Sequence, residues 1–187
     1  MIDHSLELAA GPHCPILGRT YDLKSAYKQF GLCEEDRNLA RIAVNKPGSK
    51  VPILVGLNAL PFGAIGSVAG FLRISFAIWW IGVFGLGIAW SAYFDDYSTI
   101  TRPELEASTH WAVTTLFELV GLLYAKEGPK APPFNATFRM LGLVVDLQMI
   151  PYKQFFVTHT AERRDELKQC LEDIVQKGEI TSKEAER

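Results

Sequence analysis

Charge is missing from one long run of this chain, and cysteine, net basicity and a leader-like start are scarce or missing throughout. The three cysteines, Cys14, Cys33 and Cys170, are an odd number at wide spacings. That excludes a disulfide framework and fits a reducing compartment. The four histidines, His4, His13, His110 and His159, are scattered, and although His13 adjoins Cys14, no second pair at ligand spacing completes a zinc site. A formal net charge of -2 gives no global basicity to announce nucleic acid, so any such contact needs a local basic surface. MIDHSLELAAGPHCPILGR has no basic segment followed by an apolar run, so no signal peptide is expected and the location is predicted to be intracellular, cytoplasmic or nuclear. What is present is the composition of an ordinary globular domain: 187 residues, 48% hydrophobic and 21% charged.

The uncharged run is Ile74 to Phe94, 21 residues that end against Asp95 and Asp96. It is long enough for one membrane-spanning helix. Yet Arg73 stands at its start, and Gly82, Gly85 and Gly87 fall within six residues, each costing about 1 kcal/mol in a helix interior relative to alanine. Its last part, IAWSAYF, alternates, with Ile88, Trp90, Ala92 and Phe94 on one face and Ser91, Tyr93 and Asp95 on the other. The run therefore reads as two buried elements and not as a transmembrane segment. The first is a helix opened by Ser67 as N-cap, with Val68, Phe71, Leu72 and Phe76 at helical spacing, stopping at the glycines. The second is a strand entering a tight turn at Asp95-Asp96, with Tyr97 to Ile100 returning.

Elsewhere, Gly11-Pro12 and Pro15 mark an irregular lead-in before a short element that carries Tyr21-Asp22-Leu23. ARIAV (40–44) and VPILVGL (51–57) flank Pro47-Gly48 and predict a hairpin on a type II turn. Thr101-Arg102-Pro103-Glu104 matches a capping box opening a helix that buries Leu105, Trp111, Leu116 and Val120 and ends at Gly121 or Gly128. KEGPKAPPF is a loop, and FRMLGLVVDLQMI holds two short strands broken at Gly142. From Thr160 the chain is highly charged, with Leu167, Leu171, Ile174 and Val175 on one stripe and Gly178 as the stop. Thr181 and Glu184 form a second capping-box pattern at the end.

Three carboxylates share one logic: Asp22 at the end of a short strand, and Asp95 with Asp96 in a turn. A lone Asp-Asp in a turn is ordinarily structural. Like charges held together without a counter-cation are costly, which raises the expectation of a divalent metal. Magnesium suits carboxylate and phosphate oxygens, and no soft cluster competes. Two ions about 4 Å apart would activate a 3′-hydroxyl and stabilise a leaving pyrophosphate, so the chemistry predicted is nucleotidyl transfer.

The order of the neighbouring motifs strengthens this. Asp22-Leu23-Lys24-Ser25-Ala26-Tyr27, Leu60-Pro61-Phe62-Gly63-Ala64-Ile65-Gly66-Ser67 and Tyr93-Phe94-Asp95-Asp96 resemble, in that order, the first three palm motifs of reverse transcriptases. A lysine in the loop 126–130 resembles the fourth, and Met140-Leu141-Gly142 resembles the primer-grip turn. The likeness runs from about Arg19 to Leu147, and LPxG with YxDD is specific where either alone is weak. LPFG is the form associated with Gypsy and DIRS-like retrotransposons.

The resemblance implies an α+β polymerase palm, an antiparallel sheet backed by helices in the RRM/ferredoxin-like manner. Residues 1–157 would be the palm with a residual fingers hairpin, and 158–187 a charged helical connector toward the thumb. It implies that Asp22 and Asp95 ligate two Mg2+ ions, or Mn2+, with Asp96 the adjacent acid. The backbone from Leu23 through Lys24, Ser25 and Ala26 would line the triphosphate site. Tyr27 would be the steric gate that selects dNTPs, Phe62 and Gly63 would contact substrate, and Lys130, or Lys126 in its place, would protonate pyrophosphate. Core packing is the other reading of Phe62. Gly63 and Gly66 would admit close backbone approach of template and base. The partners implied are an RNA or DNA template with its primer, and the fingers, thumb and RNase H parts of a larger polyprotein. Upstream fingers are largely missing from this sequence, and Arg37, Arg41 and Lys50 do not match the triphosphate-binding positions. The alternatives are an inactive palm that only binds nucleic acid or a partner, and an RNA-dependent RNA polymerase palm, against which Tyr27 and Tyr93 speak.

Overall fold

The structure is a computed structural model and describes residues 14–48 and 50–178. His4, His13, Gly11-Pro12 and the pattern at Thr181 and Glu184 lie outside the described residues.

Three antiparallel strands carry the centre of the fold: β1 (Leu17–Asp22), β4 (Trp90–Tyr93) and β5 (Asp96–Thr101), in the order β1-β5-β4. Between β1 and β4 the chain makes a two-stranded hairpin, β2 (Arg41–Val44) with β3 (Ile53–Gly56), and the helix α1 (Ile65–Trp80). After β5 come α2 (Glu106–Leu119), a second three-stranded sheet of β6 (Thr137–Met140), β7 (Leu143–Asp146) and β8 (Phe156–His159), and α3 (Ala161–Lys177). This is the α+β arrangement of antiparallel sheets and helices expected from the sequence. The β2–β3 hairpin turns through Gly48 at φ 82°, and β6–β7 through Leu141 and Gly142 at φ 52° and 75°, the pattern of a two-residue hairpin turn.

Alternation along β1 and β5 divides the sheet into two faces. Tyr21 and Tyr97 are register partners, both buried, and point into a core with Phe71, Trp90, Val113, Leu116 and Phe117. Asp22 and Asp96, one step along, are partners on the opposite face. A smaller core of Ile16, Ile100, Phe138, Val145, Leu147 and Ile150 fills the space under the second sheet.

The helix α1 departs from the expected pattern in three ways. Its N-cap is Ala64 and makes no side-chain hydrogen bond, while Ser67 lies buried inside the first turn. The buried stripe is Ser67, Phe71, Ser75 and Ile78, continued by Gly82, whereas Leu72 and Phe76 are exposed and Val68 is half-buried. The helix also does not stop at the first glycine: a π-turn carries it through Ile81–Gly85. Close packing explains why glycine is tolerated there. The Trp90 ring lies where a Cβ on Gly82 would stand, so the helix backbone can rest directly on β4. Trp79 Nε1 donates to the Trp90 carbonyl and Trp90 Nε1 to the Trp79 carbonyl, each at 3.1 Å. Each such bond is worth about 1 kcal/mol, and together they lock the helix to the strand. By length and composition Ile65–Gly85 could cross a membrane. The uncharged run nevertheless divides as expected, into this helix and the strand β4.

Two more expectations are corrected. The turn between β4 and β5 is centred on Phe94-Asp95, because Tyr93 pairs with Asp96, so Asp96 already belongs to the strand. At the next helix the capping box does not form. Thr101 stays in β5 with its hydroxyl 2.8 Å from Thr109 Oγ1, a 3-10 turn covers Pro103–Leu105, and α2 buries Val113, Leu116 and Phe117. Leu105, Trp111 and Val120 are exposed, since helix α2 starts a turn later than the pattern assumed and its inner face is set by contact with Tyr21 and Tyr97. Gly121, at φ 74°, ends it. In α3 Thr160 is a true N-cap accepting from the Arg163 N–H, Gly178 is the C-cap, and the stripe Leu167, Leu171 and Val175 faces solvent.

Beneath β1, the Tyr21 hydroxyl lies 2.9 Å and Arg19 Nη1 3.2 Å from His110 Nδ1 on α2. A guanidinium can only donate, so Nδ1 accepts and the ring is neutral with its proton on Nε2. Burial and the Arg19 charge hold His110 below the usual histidine range, partly offset by Glu106. Between the folded and the ordinary histidine values the unfolded chain binds more protons, so stability falls as pH drops through that window. His110→Gln, which keeps an acceptor that does not titrate, is expected to flatten the loss of melting temperature between about pH 7.5 and about pH 5.5. Equal acid sensitivity of the two proteins would contradict this role.

Candidate active site

Residues Asp22 to Phe30 leave β1 and wrap one wall of the site. The Leu23 N–H donates to the Asp95 carbonyl at 3.1 Å, and the Ala125 N–H donates to the Asp22 carbonyl at 2.9 Å. Both neighbours of the β1 end are thereby fixed on the backbone. Lys24 N–H reaches the Leu123 carbonyl at 2.8 Å, and Gln29 clamps the same two segments: its Nε2 donates to the carbonyls of Lys24 and Leu123, and its Oε1 accepts from the Leu123 N–H at 2.6 Å. Ser25, at φ 51°, is left-handed and starts a 3-10 turn from Ala26 to Gln29. A left-handed residue before a helical turn is one half of the backbone nest that binds anions.

Asp22 is opposite Asp96 in the β1–β5 register, and Asp95 is in the adjoining turn. Lys130 comes from the loop after α2, with Nζ 2.9 Å from Asp22 Oδ2; the lysine is exposed while the carboxylate is only 18% so. The hydrogen bond and charge of Asp22 raise the Lys130 pKa, with smaller help from Asp95 and Asp96. Burial pushes the Asp96 carboxyl up, and the charges of Asp95 and Asp22 push it further, with Lys130 opposing. Of the two loop lysines, Lys130 therefore joins the carboxylates. Lys126 instead pairs with Glu118 at 2.9 Å and lies over the Tyr124 ring.

A cleft of about 790 Å³ opens beside these groups, lined in part by Ser25, Tyr27, Leu60, Phe62, Asp95 and Lys130. Tyr27 stacks on the buried Phe71 with centroids 4.7 Å apart and meets the Phe62 ring edge-on at 5.4 Å. Phe62 is 89% exposed, which removes core packing as its reason. Gly63, at φ 88°, turns the chain behind it, and neither Gly63 nor Gly66 has a neighbour within 4 Å of where a Cβ would stand. Met140, Leu141 and Gly142 form the β6–β7 turn, and the strand before it is joined to β1 by the Thr20 hydroxyl, which donates to the Arg139 carbonyl at 2.7 Å. Residues that follow Asp22, from Leu23 to Tyr27, thus meet Leu60 to Phe62 of the LPFG segment, Asp95 and Lys130 at one cleft. Gln29 was not singled out by sequence reading, because a glutamine two residues past an aromatic carries no pattern of its own.

Among the described residues no group of three or more His, Cys, Asp or Glu side chains is placed to hold a metal ion. The donor chemistry nevertheless suits magnesium, which is commonly held by one or two carboxylates together with water and substrate phosphate. The ammonium of Lys130 already answers Asp22 as a cation would.

An acid whose folded pKa is raised makes the folded state less stable as pH climbs through the ordinary carboxylate range, since the folded chain keeps a proton the unfolded chain has lost. Asp96→Asn removes that penalty. It is expected to raise the melting temperature in metal-free buffer at neutral pH, with the gain vanishing below about pH 3.5, where Asp96 is neutral in both states. A melting temperature unchanged or lowered at neutral pH would contradict the burial and crowding of the Asp96 carboxylate.

No protein-family model and no curated protein sequence matches the chain. Among solved structures it is similar to the foamy viral protease-reverse transcriptase dRH in complex with ds DNA, at 16% identity and a TM-score of 0.64, over 88% of this chain and 26% of that one. It is equally similar to the foamy viral protease-reverse transcriptase in complex with RNA/DNA hybrid, at 17% identity and a TM-score of 0.64, over 88% of this chain and 20% of that one. At such identities the likeness speaks for the fold: the chain has a reverse-transcriptase-like fold and spans about a quarter or less of the length of those chains.

Proposed function

We propose that the chain is the palm-centred part of an RNA-directed DNA polymerase of a retroelement, a nucleotidyltransferase that adds dNTPs to a primer 3′-OH on an RNA or DNA template. The observation that carries this reading is the register of Asp22 with Asp96 beside Asp95, which lines the cleft of Tyr27 and Phe62. That both similar structures hold nucleic acid supports it. In this reading residues 1–157 are the palm and 158–187 lead toward a thumb in a larger polyprotein. The Gypsy or DIRS-like assignment rests on the LPFG segment.

Asp22 and Asp95, with Asp96 beside them, would hold two Mg2+ or Mn2+ ions, which when bound supply Lewis-acid activation of the primer hydroxyl and charge stabilisation of the leaving pyrophosphate. The rest is done by the chain's own groups. Backbone from Leu23 to Ala26 receives the triphosphate, aided by the left-handed turn at Ser25. The Tyr27 ring, braced from behind by Phe71, blocks a 2′-hydroxyl. Lys130 stands near enough to the carboxylates to carry a proton to the leaving group. The β6–β7 turn at Met140 to Gly142 steadies the primer end.

Primer extension on RNA with Mg2+ tests the reading, using this chain and a version joined to fingers and thumb. Asp95→Asn is expected to lower incorporation by about a hundredfold or more. Equal extension by the asparagine enzyme would end the assignment, and efficient use of ribonucleotides by the unsubstituted enzyme would favour RNA synthesis. Tyr27→Ala should raise the ratio of ribonucleotide to deoxynucleotide incorporation by about tenfold or more, and no change would remove the gate.

A further inference from the structure

Phe94, the residue before the aspartate pair, has φ 52°. A bulky residue keeps a left-handed conformation only where its surroundings hold it there. Glycine is the usual occupant of that first position in a two-residue hairpin turn.

What holds Phe94 is a serine in the middle of the uncharged run. Ser75 lies on the inner stripe of α1, only 4% exposed, and its hydroxyl donates to the Phe94 carbonyl at 2.7 Å. The same oxygen accepts from the Tyr97 hydroxyl at 3.0 Å, which also reaches the Ser75 carbonyl at 3.4 Å. Tyr97 is fully buried. One serine therefore grips both residues that flank Asp95-Asp96, Phe94 before and Tyr97 after. The Phe94 carbonyl belongs to the peptide bond that carries the Asp95 N–H. The next peptide is fixed by the Leu23 N–H on the Asp95 carbonyl. With both peptide planes held, the Asp95 carboxylate has little freedom of direction. Phe71, one turn before Ser75, touches the rings of Tyr27 and Phe94, so the same helix face also braces the gate.

We infer that Ser75 is a positioning residue for the aspartate pair: the Tyr97-Ser75-Phe94 hydroxyl relay sets the direction of Asp95 and thereby the affinity of the site for divalent cations. This rests on the reading of Asp95 as a metal ligand. Ser75 itself touches neither substrate nor metal.

The test is Mn2+ binding to the full chain in the presence of dATP, followed by electron paramagnetic resonance of the free ion, with melting temperatures measured alongside. Ser75→Ala is expected to weaken Mn2+ binding by about tenfold, within the loss that a shift of about 1 Å in a functional group produces. Ser75→Thr, which keeps the hydroxyl, should retain most of the affinity. Ile78→Ala, on the same stripe but outside the relay, should lower the melting temperature and leave Mn2+ affinity unchanged. If Ser75→Ala does not fold, Tyr97→Phe carries the test, since it frees the serine hydroxyl to rotate and should weaken binding in the same direction. Asp95→Asn is the separating arm. Mn2+ binding undiminished by it overturns the metal reading itself. Binding lost with Asp95→Asn but equally affected by Ser75→Ala and Ile78→Ala, or by neither, overturns the role of Ser75 alone.

Discussion

Everything at the site depends on how β1 pairs with β5. Because side chains alternate along a strand, one register places Tyr21 against Tyr97 in the core and Asp22 against Asp96 on the opposite face. A slip by one residue would exchange the two sets, burying carboxylates and exposing aromatics. The two tyrosines are nearly inaccessible, Thr20 and Ser98 hydroxyls meet at 3.1 Å across the same pair, and the whole β1 underside is tied to α2 through His110. These contacts favour one register strongly. Its cost is the burial of Asp96 and the repulsion from Asp95 and Asp22, which together push that carboxyl up and are answered in part by Lys130.

The long uncharged run is the second support of the same pair. Its inner stripe of serine, phenylalanine, isoleucine and glycine lets α1 approach β4 closely enough for Trp79 and Trp90 to exchange hydrogen bonds. The buried Ser75 hydroxyl in this stripe is not a defect: both of its hydrogen-bonding roles are satisfied, by Phe94 and Tyr97. The outer face, with Phe76, Trp80 and Phe84 exposed, adds apolarity that this packing does not use. A run that reads as membrane-like by composition is thus half support for a turn and half free surface.

Much of this was legible in the chain itself. Alternation in IAWSAYF located β4, Pro47-Gly48 located the β2–β3 turn, and Gly142 located the β6–β7 turn, because each rests on a local constraint of strand or turn. The boundaries of α1 and α2 were not, because close contact of Gly82 with Trp90 let the first helix run past its glycines, and the Thr101–Thr109 contact kept Thr101 in the strand instead of in a cap. Leu105, Trp111 and Val120 lie outside the core although the pattern placed them inside. Gln29 and Ser75 had no signal at all, since a polar side chain that bridges distant backbone leaves no periodicity.

What the sequence by itself determined is the set of chemical groups and their order: three aspartates, an aromatic five residues past the first of them, LPFG between, and a lysine after. These are local matters of residue type and spacing. Only the tertiary structure decided which of them meet. It chose Lys130 over Lys126, put Phe62 on the cleft wall, and moved the turn to Phe94-Asp95. The reason is that each choice depends on contacts between segments up to 108 residues apart, and the energies of such contacts are settled by packing and register, which no single stretch of chain contains.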